Sequence, residues 1–226
     1  MATVALTAYR STIGRKAVMA VTGLLLFGFV VAHMVGNLKI FTGEEHYNEY
    51  AEGLRAFGTP IIGDEQFLWV MRAGLLAAVL AHIGAAVSLT RTSKLARPIH
   101  YVKHTPTTST YASRTMRWGG VVIALFVIYH LLHLTTGDAH GDFRPGDVYH
   151  NVISGFETWY VSAFYILANL ALGMHLFHGL WSMFQTLGRG SGRFSKGVRV
   201  FSVLAAVAIT VGNISIPLAV LTGVLE

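Results

Sequence analysis

No cysteine occurs among the 226 residues. That absence excludes disulfides, thiolate-bound iron–sulfur clusters and cysteine-based zinc sites. Any iron held by this chain must therefore be held by histidine. Charge is also scarce: Asp, Glu, Lys and Arg make up 12% of the chain, against roughly 25% in an average soluble domain. Internal repeats and low-complexity linkers are missing too, which leaves a single domain over residues 1–226 as the simplest organisation. What remains is apolar. Hydrophobic residues reach 53% and the mean hydropathy is +0.54, the signature of an all-α membrane protein.

Five stretches are long enough to cross a hydrocarbon core, which takes about 20 residues. They run approximately Ala17–Ile40, Phe67–Leu89, Trp118–Thr135, Tyr160–Leu187 and Val200–Val224. The third is the shortest and has little room to tilt. The first is too long for a cleaved signal peptide and lacks a small-residue cleavage pattern, so it is read as a helix. Pro217 is expected to kink the fifth. Arg10, Arg15 and Lys16 precede the first segment; Arg91, Lys94, Arg97, Lys103, Arg114 and Arg117 lie between the second and third; Arg189, Arg193, Lys196 and Arg199 lie between the fourth and fifth. These regions hold thirteen of the 17 basic residues and none of the 11 acidic ones. Basic residues accumulate on the cytoplasmic side, so the N-terminus is expected inside. The net charge of +6 is then a topology signal and not a nucleic-acid footprint. The outer side is acidic, and its first loop contains HYNEYAEGLRAFG, which suits a short amphipathic helix lying on the membrane.

Four histidines, His33, His82, His130 and His175, each sit well inside a different apolar segment. Histidine is costly in hydrocarbon, and four of them, one per segment, suggest two pairs. Two axial histidines on one iron are how a protein holds a low-spin haem b between helices. Helical rise puts His33 about 20–24 Å and His130 about 18 Å above the inner end of their segments, with His82 at about 12 Å. His175 is nominally near 18 Å, lower if the long fourth helix protrudes into the cytoplasm. The pairing by depth is His33 with His130 in an outer layer and His82 with His175 in an inner one. His133 and His178 each follow one of these residues by three positions on nearly the same helix face. Depth alone therefore leaves His130 or His133, and His175 or His178, as the ligand. A histidine proton relay is the competing reading, weakened because no Asp or Glu lies deep in any segment. Arg72, near the outer end of the second, can snorkel to the interface.

The ordered set of motifs resembles the membrane cytochrome b subunit of succinate dehydrogenase and fumarate reductase, in its single-chain, five-helix, dihaem type. The residues that carry the resemblance are AHMVGN at His33, LAHIGA at His82, RWGGVVIALFVIYH ending at His130, and MHLFHGLWSMFQTLG around His175. It extends from Arg15 to about Val220. The resemblance implies two haems b, one ligand from each of the first four helices, the first paired with the third and the second with the fourth. Its HxxxGLWS arrangement favours His175 over His178, and its third-helix position corresponds to His130. It further implies a flavoprotein subunit and an iron–sulfur subunit docked on the cytoplasmic face, menaquinone as substrate, and the inner membrane of a bacterium as location. The basic inner segments, including ARPIHYVKHTPTTSTYASR with His100 and His104, are the expected docking surface for the iron–sulfur subunit.

Quinone chemistry needs a proton donor or acceptor beside a haem. On the outer side His46, Glu49, Glu52 and His133 are the candidates. Some members of the family carry a glutamate in the fourth helix that conducts protons across the membrane. Residues 161–187 contain no acid, so such a pathway is expected to be absent. Two other readings stay open at this level: a cytochrome b subunit of a hydrogenase or formate dehydrogenase, and a haem-free anchor or transporter.

Overall fold

The computed structural model describes residues 11–96, 111–188 and 194–226. Its described elements are all helical: α1 (Thr12–Asn37), a 3-10 turn (Leu38–Thr42), α2 (Glu44–Arg55), α3 (Gln66–Leu95), α4 (Tyr111–Leu134), α5 (Val148–Glu157), α6 (Trp159–Thr186) and α7 (Phe194–Leu221). Five of these, α1, α3, α4, α6 and α7, are long and apolar enough to span a membrane. The helices of a bilayer protein must satisfy every backbone group internally, and buried hydroxyls here follow the same rule. Ser202 donates to the Val198 carbonyl (2.9 Å) and Ser162 to that of Phe156 (2.6 Å). The expected segments are recovered with different ends. Helix α3 continues six residues past Leu89, and α4 begins at Tyr111, seven residues before Trp118. Polar residues such as Arg91, Thr92 and Lys94 extend a helix as readily as apolar ones once it has been nucleated; hydropathy marks the membrane and not the helix. Helix α4 remains the shortest of the five at 24 residues. Helix α7 runs through Pro217 for four further residues, and the ring, which cannot donate to the carbonyl one turn back, is fully buried.

Helices α6 and α7 form the centre. Some 28% and 33% of their apolar windows are buried, against 0–11% in α1, α3 and α4. They pack on each other more extensively than any other pair. Small residues allow the approach: a Cβ at Gly212 of α7 would lie 2.6 Å from Met34 Sδ of α1. Helix α1 leans on both central helices and on α3, while α4 leans on α6. At the basic end, Arg15 Nη1 donates to Thr92 Oγ1 (3.0 Å) and ties the start of α1 to the end of α3. Arg10, Arg97, His100, Lys103, His104, Arg189 and Arg193 of the expected docking surface lie outside the described residues.

The acidic end is closed by two short helices. The amphipathic segment anticipated in the first outer loop forms α2. The second, α5, falls in a stretch too short and mixed to stand out by hydropathy; Asp147 caps it by accepting from His150 N–H (3.0 Å). Asn48 staples the two together. Its Nδ2 donates to Asp147 Oδ1 (3.0 Å) and its Oδ1 accepts from Tyr149 N–H (3.0 Å). Burial raises the pKa of Asp147, but the His150 N–H, the Asn48 amide and the neighbouring His150 and Arg144 together hold it below the ordinary 3.8. A depressed carboxylate contributes stability that is present above its unfolded value and is lost as pH falls through its native one. The cap is therefore expected to loosen in acid below pH 3.8. Asn48→Ala should bring the same loosening at neutral pH, at a cost of about 1–3 kcal/mol. Faster amide exchange across α5 is the measurement, and unchanged protection in the variant would refute the staple.

Candidate functional site

Counted from the basic ends of their helices, the four intramembrane histidines fall into two levels. His33 is 21 residues beyond Thr12 and His130 is 19 beyond Tyr111. His82 is 13 residues before Leu95 and His175 is 11 before Thr186. The levels are separated by about eight residues, or roughly 12 Å of helix. They match without any need for α6 to protrude, because α3 is longer at its basic end than hydropathy suggested.

The rings meet in the same combinations. His33 and His130 have centroids 5.7 Å apart at 85°, and His82 and His175 are 6.4 Å apart at 59°. Two imidazoles on opposite sides of one metal, with metal–nitrogen bonds of about 2 Å, place their centroids about 6 Å apart. Each pair reaches across a gap between helices that are not closely packed: neither α1–α4 nor α3–α6 is among the tight helix pairs. Glycines line the approaches. A Cβ at Gly23 would stand 3.4 Å from His82 Cε1, and one at Gly120 3.7 Å from His175 Cε1. Gly119, which has no neighbour within 4 Å of such an atom, borders His175 as well. An apolar cavity of about 190 Å³ between α4 and α6 touches His175, Gly119, Val122, Ala171 and Met174. His175 Nδ1 is buried and has no hydrogen-bond partner among the described residues. A polar nitrogen in that position needs a partner.

The neighbouring histidines point elsewhere. His133 is only 3% exposed; its Nδ1 lies 3.0 Å from Tyr165 Oη, and its ring stacks on His140 at 4.7 Å. His140 in turn has Nε2 2.9 Å from the Asn151 carbonyl and accepts from Asp142 N–H (3.1 Å) at Nδ1. His133 thus belongs to a cluster under the α5 cap, turned away from His33. His178 is half-buried on α6 and makes no recorded ring contact with His82. His46, Glu49 and Glu52 are exposed on α2, whose buried side instead carries Tyr47, with a hydroxyl raised to about 12 by burial and by Tyr50. Of the four quinone-site candidates, three are thus exposed on α2 and His133 is buried beneath α5. Gly155 of α5 presses on the cluster: a Cβ there would lie 2.7 Å from His133 Cε1 and 3.0 Å from His140 Nε2. Gly155→Ala is expected to destabilise the protein by about 1–3 kcal/mol by overpacking, read as a lower Tm, and an unchanged Tm would show that the rings move aside freely.

Residues 90–214, more than half of the chain, match the family model described as succinate dehydrogenase/fumarate reductase transmembrane subunit. The chain belongs to this family. As a succinate dehydrogenase/fumarate reductase transmembrane subunit it is a membrane component of a larger complex with soluble subunits. The matched stretch includes His130 and His175 but begins after His33 and His82, so those two enter on ring geometry and sequence resemblance. No curated protein and no solved structure matches the chain. Three contributors to this site carried no sequence signal: Thr22, Tyr165 and His140. Thr22 Oγ1 lies 3.1 Å from His82 Nδ1 across 60 residues of chain, and Tyr165 Oη lies 3.3 Å from His130 Nδ1 across 35. A threonine and a tyrosine in apolar segments look like ordinary membrane-helix residues until the helices are packed.

Proposed function

We propose that this subunit is a dihaem cytochrome b, the membrane anchor that exchanges electrons between the iron–sulfur subunit of a succinate:menaquinone oxidoreductase and quinone. The observation that carries the reading is the pair of facing imidazole couples at two levels, each spanning a gap between helices that do not pack. In this reading His33 and His130 hold one haem iron and His82 and His175 the other. Bis-histidine haem stores single electrons at each level. The chain's own residues supply the rest. Glycines keep the clefts clear for a flat macrocycle, apolar walls exclude water, and the stagger of the two couples sets the direction of transfer along the membrane normal.

The basic end faces the cytoplasm in this proposal, because lysine and arginine are retained there, and it receives the iron–sulfur and flavoprotein subunits. Succinate–fumarate chemistry takes place on the flavoprotein, since the sequence of this chain shows no dicarboxylate or flavin motif. The acidic end, under the α2–α5 cap, faces outward in a bacterial inner membrane. His175, not His178, is the inner ligand, supported by its ring contact with His82 and its unpartnered Nδ1. His130, not His133, is the outer one, supported by its contact with His33.

A dithionite-reduced-minus-oxidised spectrum of the purified complex tests the proposal. A b-type α-band with two haems per copy of this chain is expected. A flat spectrum, or one haem per copy, would overturn it.

A further inference from the structure

In each histidine couple one ring has its Nδ1 held by a hydroxyl from a neighbouring helix: His82 by Thr22 of α1 (3.1 Å) and His130 by Tyr165 of α6 (3.3 Å). We infer that Thr22 and Tyr165 are positioning residues, hydroxyl acceptors that fix these two imidazoles in the Nδ1–H form and aim Nε2 at the iron. The inference rests on the dihaem reading above and adds to it the residues that orient the ligands.

For Thr22 the proton count decides the polarity. A hydroxyl carries one hydrogen, and that of Thr22 has two carbonyls of its own helix to receive it, Val18 at 2.7 Å and Met19 at 3.3 Å. Towards His82 the oxygen can then only accept, so Nδ1 must carry the proton and Nε2 keeps its lone pair. Thr22 is 8% exposed, so no bulk water competes for the bond. The neighbouring Gly23 lets the ring of His82 lie against α1 with Cε1 at contact distance. Tyr165 is 4% exposed and is shared between His130 and His133, at 3.3 and 3.0 Å. If His130 coordinates through Nε2, its Nδ1–H donates to the Tyr165 oxygen. The single phenolic hydrogen then goes to His133 Nδ1, which leaves His133 protonated on Nε2. All three rings are thereby fixed by two hydroxyls. A hydrogen-bonded Nδ1–H sets ring orientation and raises ligand basicity at a metal-bound histidine. The other member of the inner couple, His175, has no such partner, so within that couple one ligand is anchored and the other is not.

The test uses the assembled complex with Thr22→Val, Thr22→Ser and Tyr165→Phe, each close in shape to the wild type. Haem content, low-spin EPR of the ferric state and the midpoint potential of each haem are read. Thr22→Val should alter the EPR signal of one haem and raise its potential, because a less basic ligand stabilises ferric iron less. Thr22→Ser should restore both towards wild type. Tyr165→Phe should move the other haem and leave the first alone. Unchanged signals and potentials in Thr22→Val and Tyr165→Phe, with both haems present, would overturn the inference and leave the dihaem reading intact. So would both variants shifting the same haem, or Thr22→Ser behaving like Thr22→Val. A wild-type complex without haem would overturn the dihaem reading itself, and that is seen before any variant is made.

Discussion

His33→Ala is expected to abolish one haem and spare the other, and His82→Ala to do the reverse. Each substitution removes one of two axial nitrogens from a different couple, since His33 meets His130 and His82 meets His175. The remaining imidazole offers a single bond, and the cleft has no second protein ligand in place. His178→Ala and His133→Ala should retain two haems, because the rings that meet His82 and His33 are those of His175 and His130. The measurement is pyridine haemochrome stoichiometry together with the low-temperature α-band of each variant complex. If His33→Ala and His82→Ala lose the same haem, the pairing is wrong. If His178→Ala loses a haem while His175→Ala does not, the inner ligand must be reassigned. In the proposed function either loss breaks the electron route between the two levels, so quinone-linked turnover should fall to background in both His33→Ala and His82→Ala, while succinate oxidation with a soluble acceptor persists on the partner subunits.

Quinol-linked fumarate reduction by this complex is expected to move charge across the membrane without a compensating return of protons through this subunit. None of the five spanning helices contains Asp or Glu, and a buried carboxylate is the usual carrier of such a path. The histidines at mid-depth are engaged as iron ligands in the proposed function, and the His133–His140 cluster reaches only towards the acidic surface. Moving one charge through 100 mV is worth about 2.3 kcal/mol, so a two-electron turnover is coupled to the potential by roughly twice that. Proteoliposomes with a potential-sensitive dye give the measurement. A generated potential is the expected result; electroneutral turnover that requires an intact haem would contradict it.

Much of this was legible in one dimension because the membrane simplifies the code. Hydropathy located five spans before any packing was known. The depth of His33 and His130 followed from helical rise alone. The end of α3 did not, since Arg91 and Lys94 continue the helix past Leu89, where hydropathy closes the apolar run. Helix α5 carries no membrane signal, because its ten residues include Asn151, Ser154 and Glu157 and are too few to span a bilayer. The choice between His130 and His133 was beyond helical depth, though the family resemblance favoured His130, for a different reason. Three residues apart, both share a helix face, and only the location of Tyr165 and His140 shows which ring turns to the cap. Thr22 illustrates the general limit: a partner 60 positions away has no local pattern to betray it.

The packing order of the helices has a mechanical consequence. Helix α3 leans on α1 and α4 leans on α6, so each is an outrigger on a different helix of the bundle, although they follow one another in the chain. Each histidine couple joins an outrigger to the helix it is not packed against: His82 links α3 to α6, and His130 links α4 to α1. Cofactor insertion would therefore act as a diagonal brace, turning four loosely related spans into a rigid frame. A subunit assembled without its cofactors should splay at α3 and α4 first, while the α6–α7 keel holds.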